Sequence, residues 1–285
     1  MAINYDHLMN LHIPEVYQTY TKEDSMLYAL SLGVGKDPTD LRQLPFVYEE
    51  NQRCLPSFGT VLGHPGFWLR DMETGVAWEK IVHAQHELII HRPLPVSAEI
   101  IGYQKIVDVI DRGADRGAMI IWQRSIVDAA TKEALCTINQ YMLARADGGF
   151  GGPGKQLDAL PSLPDREADA ALVYQSDPQM ALLYRLNGDW NPLHADPKVA
   201  KVAGFDRPIL HGLATWGRAA TDVMSRYCDN NPDRISRIAG RFTAPVYPGE
   251  SFRTEMWQEG NNIHFRVVAV ERNLVAINNG LIEMN

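Results

Sequence analysis

Within the run Tyr184-Arg-Leu-Asn-Gly-Asp-Trp-Asn-Pro-Leu-His194, a carboxylate, Asp189, and an imidazole, His194, stand five residues apart. Asn191 followed by Pro192 predicts a helix start, because asparagine caps well and proline is tolerated at the first helical position. Asp189 then lies just before the cap and His194 in the first turn. Both side chains can project from one end of a short helix toward a common space. Such a pair suits general acid–base work on a water molecule. The partial positive charge at a helix N-terminus disfavours imidazolium and leaves His194 able to take a proton. Asp189 can hold the same water or return a proton. Positioned proton transfer of this kind contributes roughly 10²–10⁴ in rate.

A second feature follows at Arg207-Pro-Ile-Leu-His-Gly212. A helix beginning at this glycine leaves free N–H groups in its first turn, and glycine lets a ligand approach the backbone closely. An N–H there can polarise a carbonyl as charge develops on its oxygen. The same spacings admit a plainer reading: Asp189 and Asn191 only cap a helix over a packed His194, and Gly212 only makes a turn.

These residues need elements to position them. Gly148-Gly-Phe-Gly-Gly-Pro-Gly154, running into a Pro-, Asp- and Ala-rich stretch through Ala171, cannot continue a helix or strand and reads as a linker. It divides the chain into a first unit, 1–147, a linker, 148–171, and a second unit, 172–285. The units resemble each other. Pro56 and Pro208 precede glycine-containing, helix-like segments, Pro93 and Pro245 precede alternating strands, and each pair is 152 residues apart. Leu27-Tyr-Ala-Leu30 and Leu183-Tyr-Arg-Leu186 match at an offset of 156. Three matches in one order at nearly one offset imply duplication. Leu213–Tyr227 has helical periodicity. Strands are expected at Ala98–Ile110, Ala118–Val127 and Ala134–Ala144, and again at Arg253–Gln258, Ile263–Val270 and Leu274–Ile277. One long helix and consecutive strands in each unit predict an α+β fold, an antiparallel sheet packed on that helix.

The bulk properties narrow the function. Of 285 residues, 45% are hydrophobic and 22% charged, the profile of an ordinary globular chain. A net charge of −8 argues against nucleic-acid binding, which needs a basic face, but leaves room for an anionic small ligand held by local arginines. Cys54, Cys136 and Cys228 are too scattered for a disulfide framework or zinc site and suit a reducing compartment. No secretory signal, membrane span or C-terminal peroxisomal address is read, so the expected setting is cytoplasmic. No GxGxxG segment calls for a nicotinamide or flavin, and no cofactor is expected. His83, His86, Glu87 and His91 invite a metal reading. In a strand, however, side chains alternate faces and this spacing does not gather them, so no metal is expected either.

The run YRLNGDWNPLHADPKVAKVAGFDRPILHGLATWG resembles the signature of the type 2, (R)-specific enoyl-CoA hydratases and the wider MaoC-like dehydratases. The likeness extends to TKEDSMLYALSLGVG, FVYEE, GGFGGPG and RFTAPVYPGE, and is strongest to the two-unit hydratases of that group. It implies a double hotdog fold, each unit an antiparallel sheet around a long helix, and a homodimer. It implies reversible hydration of a trans-2-enoyl-CoA, with Asp189 and His194 activating water, Asn191 orienting them and the N–H of Gly212 holding the thioester oxygen. Contacts to the CoA substrate are implied at His83, Arg112 and Phe242, with Tyr184 and Glu49 as further substrate-binding candidates. Glu49 also reads as a solvated acidic pair with Glu50. Where the family often has His-Gly, this chain has His83-Ala84, and where it often has Ser-Gly-Asp, this chain has Asn187-Gly188-Asp189. Gly33-Val-Gly-Lys-Asp-Pro-Thr39, the first unit's counterpart of GDWNPLH, has no following histidine, so one working site is expected, with room in the other half for a bulky acyl chain. A hotdog thioesterase and a non-catalytic acyl-CoA-binding module are the competing readings.

Overall fold

The computed structural model describes residues 3–153, 157 and 159–285; positions 154–156 and 158 of the expected linker lie outside the described residues. Among the described residues six α-helices are present: α1 (Tyr5–Met9), α2 (Lys22–Ser31), α3 (Trp68–Asp71), α4 (Met180–Tyr184), α5 (Pro197–Val202) and α6 (Gly212–Tyr227). The strands are β1 (Val16–Tyr20), β2 (Ile81–Ile90), β3 (Ala98–Asp111), β4 (Ala118–Asp128), β5 (Ala134–Ala144), β6 (Ala170–Gln175), β7 (Ile235–Phe242), β8 (Ser251–Glu259), β9 (Asn262–Ala269) and β10 (Leu274–Met284). They form one sheet in the order β1-β3-β4-β5-β2-β7-β10-β9-β8-β6, antiparallel at every pairing. β6 begins at Ala170, inside the stretch expected to be linker.

Read from its two ends, that order is the same: an edge strand, a three-stranded meander, then an inner strand. β2 and β7 join the halves with Glu87 opposite Ala239. Those two residues are 152 apart, the offset at which the prolines repeat. A local twofold axis therefore passes through the pair. Tyr28 and Tyr184, matched by sequence at 156, also meet, with ring centroids 6.0 Å apart. Farther out the offset drops to 140, from Ala134 to Leu274, because β3 and β4 are longer than β8 and β9.

α6 explains the second unit. Ala214, Trp216, Ala219, Ala220, Val223 and Met224 are all buried, and the small residues let the helix lie close to its neighbours. It touches β7, β8, β9 and β10, and also the 3₁₀ turn Pro56–Val61 of the first unit. Trp216 alone, fully buried, contributes about 2–3 kcal/mol by removal from water.

The fold is α+β and double hotdog in outline, with one correction. Among the described residues no long helix occupies the first unit; the segment after Pro56 is a 3₁₀ turn, then a loop, then the four-residue α3. Gly63 and Gly66 adopt φ of 58° and 75°, and Pro65 between them cannot continue a helical hydrogen-bond ladder. The sequence match at 152 is real, but the breakers decide the conformation.

Candidate active site

α4 passes into a 3₁₀ turn, Arg185–Asn187, and Gly188 (φ 108°) reverses the chain. Asp189 follows, then a second 3₁₀ turn, Pro192–His194. Asn191 caps this turn, accepting the N–H of Leu193 at 3.0 Å, while Oδ1 of Asp189 accepts the N–H of Asn191 at 3.2 Å. The capping chemistry expected from the sequence is therefore present. It coexists with a convergent site.

His194 Nδ1 lies 2.9 Å from the carbonyl oxygen of Ile209. A carbonyl only accepts, so Nδ1 carries the proton and the neutral ring presents its Nε2 lone pair. His211 stacks on His194, with ring centroids 3.7 Å apart and planes 27° from parallel. Nε2 of His211 also lies 3.4 Å from the backbone oxygen of Asp189. Ligand-type atoms of Asp189, His194 and His211 all fall within 4.8 Å of one another. His211 is the residue preceding α6, whose first turn has no side-chain cap. The N–H of Gly212 thus opens the helix directly beside the cluster. A Cβ at Gly212 would meet the Phe242 ring at 3.0 Å, so glycine is what permits this approach.

Burial dominates the electrostatics. It pushes His194 below the ordinary imidazole value, against the opposing pull of Asp189 and the Ile209 bond. It pushes His211 down to about 3, helped by His194. Burial alone would raise Asp189, but His211, His194, the Asn191 N–H and His64 outweigh it and keep the carboxyl below its usual range. The site is a carboxylate beside neutral imidazoles. The cause differs from the one expected. A three-residue 3₁₀ turn has little dipole, and desolvation keeps His194 neutral.

The other expected residues divide. His83 packs against Phe242 with centroids 4.8 Å apart, its Nε2 is buried without a partner among the described residues, and burial lowers it to about 4. Tyr184 is fully buried with its ring 4.9 Å from that of His211. Arg112 sits in the β3–β4 turn, where its N–H bonds Gly117, and no contact among the described residues joins it to the Asp189 cluster. Glu49 is exposed on a surface bend beside Glu50, and no contact among the described residues joins it to the Asp189 cluster. A bulge in β2, where Ala84 adds a residue between His83 and Gln85, turns His83 and His86 to one side, their centroids 5.2 Å apart. Strict alternation fails there. Glu87 instead reaches Arg237, and His91 reaches Thr137.

Two site histidines were not singled out by sequence reasoning. His211 is signalled only by standing next to Gly212 in PILHG. His64 comes from the first unit; it is exposed on one side, its ring stands edge-on to Trp122, and it lies near enough to Asp189 and His83 to feel both, with local desolvation lowering it below the ordinary imidazole value. Its sequence signal, LGHPGFW, lies in the glycine-containing segment that follows Pro56. Asp189, His194 and His211 could each offer a ligand atom to a metal ion. The near-parallel rings do not aim their nitrogens at one point, and Nδ1 of His194 is engaged, so the arrangement suits proton transfer better than tetrahedral ligation.

Comparison with known proteins gives a consistent picture. Residues 18–146 match the MFE-2 hydratase 2 N-terminal domain, and residues 159–280 match the MaoC like domain. The chain is 38% identical to the mouse peroxisomal multifunctional enzyme type 2 over 95% of its own length but only 37% of that enzyme's. It is 34% identical to enoyl-CoA hydratase 2, peroxisomal, of Arabidopsis thaliana, covering 95% of this chain and 92% of that protein. A MaoC-like dehydratase from Phytophthora capsici superposes with a TM-score of 0.88 at 29% identity, over 99% of both chains.

Proposed function

Because the chain belongs to the MaoC-like hydratase 2 family, we propose that it is a hydro-lyase adding water reversibly to trans-2-enoyl-CoA, giving (R)-3-hydroxyacyl-CoA in fatty-acid or related acyl-CoA metabolism. One observation carries the reading. Asp189, His194 and His211 converge within 4.8 Å at the uncapped head of α6. Nε2 of His194, unprotonated because Nδ1–H is given to Ile209, accepts a proton from water as the water oxygen bonds to the β-carbon. The displaced π-electron pair moves toward the thioester oxygen, which the N–H of Gly212 stabilises. Asp189, held as carboxylate, orients the water and the developing imidazolium. The α-carbon then takes up the proton from the same site, on the same face. Proton count is closed and no cofactor enters.

The test is loss of the enoyl thioester absorbance on adding enzyme, followed by chiral analysis of the product. Release of free thiol instead would identify a thioesterase, and stoichiometric binding without absorbance loss a binding module.

The same proposal gives the two units different tasks. The second, 172–285, supplies the reacting groups. The first, 1–147, joined to the second by the stretch before β6, lacks a GDxNPLH run and, among the described residues, a long helix, and accommodates the acyl and CoA parts. His83 and Phe242 line the reacting end, Tyr184 backs His211, and Arg112 meets the CoA phosphates. Turnover of short crotonyl-CoA far above that of long or branched chains would contradict the roomy first unit. The working form is proposed to be a homodimer, supported by Tyr17 and Val173 exposed on the outer strands β1 and β6, and is tested by solution mass. Three free, buried thiols support a reducing, cytoplasmic setting. Among the described residues no helix is long and apolar enough to cross a membrane.

A further inference from the structure

The interior of the first unit holds a charge that the hydration chemistry does not use. Arg124, on the inward face of β4, is 1% exposed. One guanidinium nitrogen, Nη2, donates to the carbonyl of Thr60 at 2.5 Å, while Nε and Nη1 have no partner among the described residues. No carboxylate pairs with it among the described residues. What surrounds it is neutral: the Trp122 ring at 5.3 Å, His64 edge-on to that ring, and the hydroxyl of Thr60, itself bonded to His86. Burial brings the guanidinium down only to about 10, so it stays protonated at neutral pH. Water could satisfy the free N–H groups but would not neutralise the charge, and a buried charge without a counter-ion is costly to hold.

The second unit shows how unusual the position is. The 152-residue offset relates Ile100 of β3 to Phe252 of β8, and their cross-strand partners are Asp128 and Ala269. Counting back along β4 and β9 puts Arg124 at the place of Phe265, a fully buried ring in the core around α6. Where the second unit has a helix and an apolar ring, the first has no long helix and a cation. Arg124 bonds the carbonyl of Thr60, the Thr60 hydroxyl bonds His86, His86 lies 5.2 Å from His83, and His83 lies 4.8 Å from the Phe242 ring that abuts Gly212. The guanidinium is therefore close to the reacting site, on its first-unit side.

We propose that Arg124 is a subsite for a carboxylate at the far end of the acyl chain, so that the enzyme favours ω-carboxyl-2-enoyl-CoA thioesters over methyl-ended chains of equal length. This rests on the enoyl-CoA reading above. An acyl-CoA can bring an anion into this interior only at the end of the chain away from the thioester, because the CoA phosphates lie on the other side of it. An arginine suits a carboxylate through charge-assisted N–H···O bonds.

The experiment measures kcat/KM for two matched series of trans-2-enoyl-CoA, one ending in methyl and one in carboxylate, at increasing length. The wild-type enzyme is expected to favour the carboxylate series on the order of 100-fold at the length that spans to Arg124, chiefly through KM. Arg124→Leu, of similar bulk and no charge, should invert that ratio, and Arg124→Lys should keep part of it. A wild-type enzyme with no carboxylate preference at any length overturns the inference without recourse to a variant. So does a preference that survives in Arg124→Leu. Hydration of methyl-ended chains alone overturns only this inference, whereas hydration of neither series overturns the enoyl-CoA reading with it.

Discussion

The imidazoles of His194 and His211 lie face to face, 3.7 Å between centroids, with the carboxylate of Asp189 beside them. Two cations cannot share that separation in a buried site, so protonating one ring opposes protonating the other. Burial lowers His194, and lowers His211 to about 3 and His83 to about 4. Activity should therefore pass through pH 6.5 without the loss that an ordinary imidazole base would show. Stability has a definite sign. Each depressed histidine binds more protons unfolded than folded below its unfolded value of 6.5. The stabilisation is complete above that value and drains away as pH falls toward 4 and then 3. Asp189, also depressed, adds in the same direction at the acid end. Melting temperature against pH should fall steadily below 6.5, and a flat profile from 6.5 to 4 would contradict neutral buried rings.

Asp189→Asn keeps an oxygen that can accept the Asn191 N–H at the same place and removes only the charge. His194→Gln removes the Nε2 base. Each should lower kcat by roughly 10²–10⁴ while circular dichroism and melting stay near wild type. Near-normal turnover in either would end the acid–base assignment.

Much of this was legible in the sequence, and the failures have physical causes. The helix expected at 213–227 is found as Gly212–Tyr227, and the strand at Ala134–Ala144 is found with the same limits. Both carry strong periodicity or β-branched runs. The strand expected at Leu274–Ile277 runs on to Met284 as β10, absorbing Asn278-Asn279-Gly280 as a bulge with Asn279 at φ 50°. β6 hid in a proline-rich stretch because it is a short edge strand with one buried face. Asp189 and His194 were found because they share one local motif. His64 and Arg124 reach the neighbourhood through tertiary packing of the other unit, which local spacing does not encode.

Gly212 is required by its neighbour. A methyl group there would meet two Phe242 ring carbons at 3.0 Å, so either the ring or the head of α6 must move. Gly212→Ala should cost about 1–3 kcal/mol of stability and roughly 10²-fold in kcat if the oxyanion donor shifts. Adding Phe242→Ala should recover part of the stability, making the two changes non-additive in a double-mutant cycle. Strict additivity would mean that the ring does not control the approach.

The seam between the units rests on Arg237. It donates to Glu87 beside the local twofold axis, with Nη2 at 2.5 Å, and to Glu283 at 2.6 Å, while Asn139 donates to the other oxygen of Glu87. The Glu87 side chain is 9% exposed and that of Arg237 29%. Arg237→Met would leave the Glu87 side chain almost dry and without its cation. Full burial of such a pair would make the loss about 3–5 kcal/mol, and the partly open arginine reduces this to about 2–3 kcal/mol. Lys36–Asp177 also links the two units, but its side chains are 45% and 49% exposed. Lys36→Met should therefore cost under about 1 kcal/mol. Denaturant midpoints at equal m-value compare the two directly. Equal small losses would show that the seam is held by β2–β7 backbone pairing and apolar packing, with the buried ion pair contributing nothing beyond them.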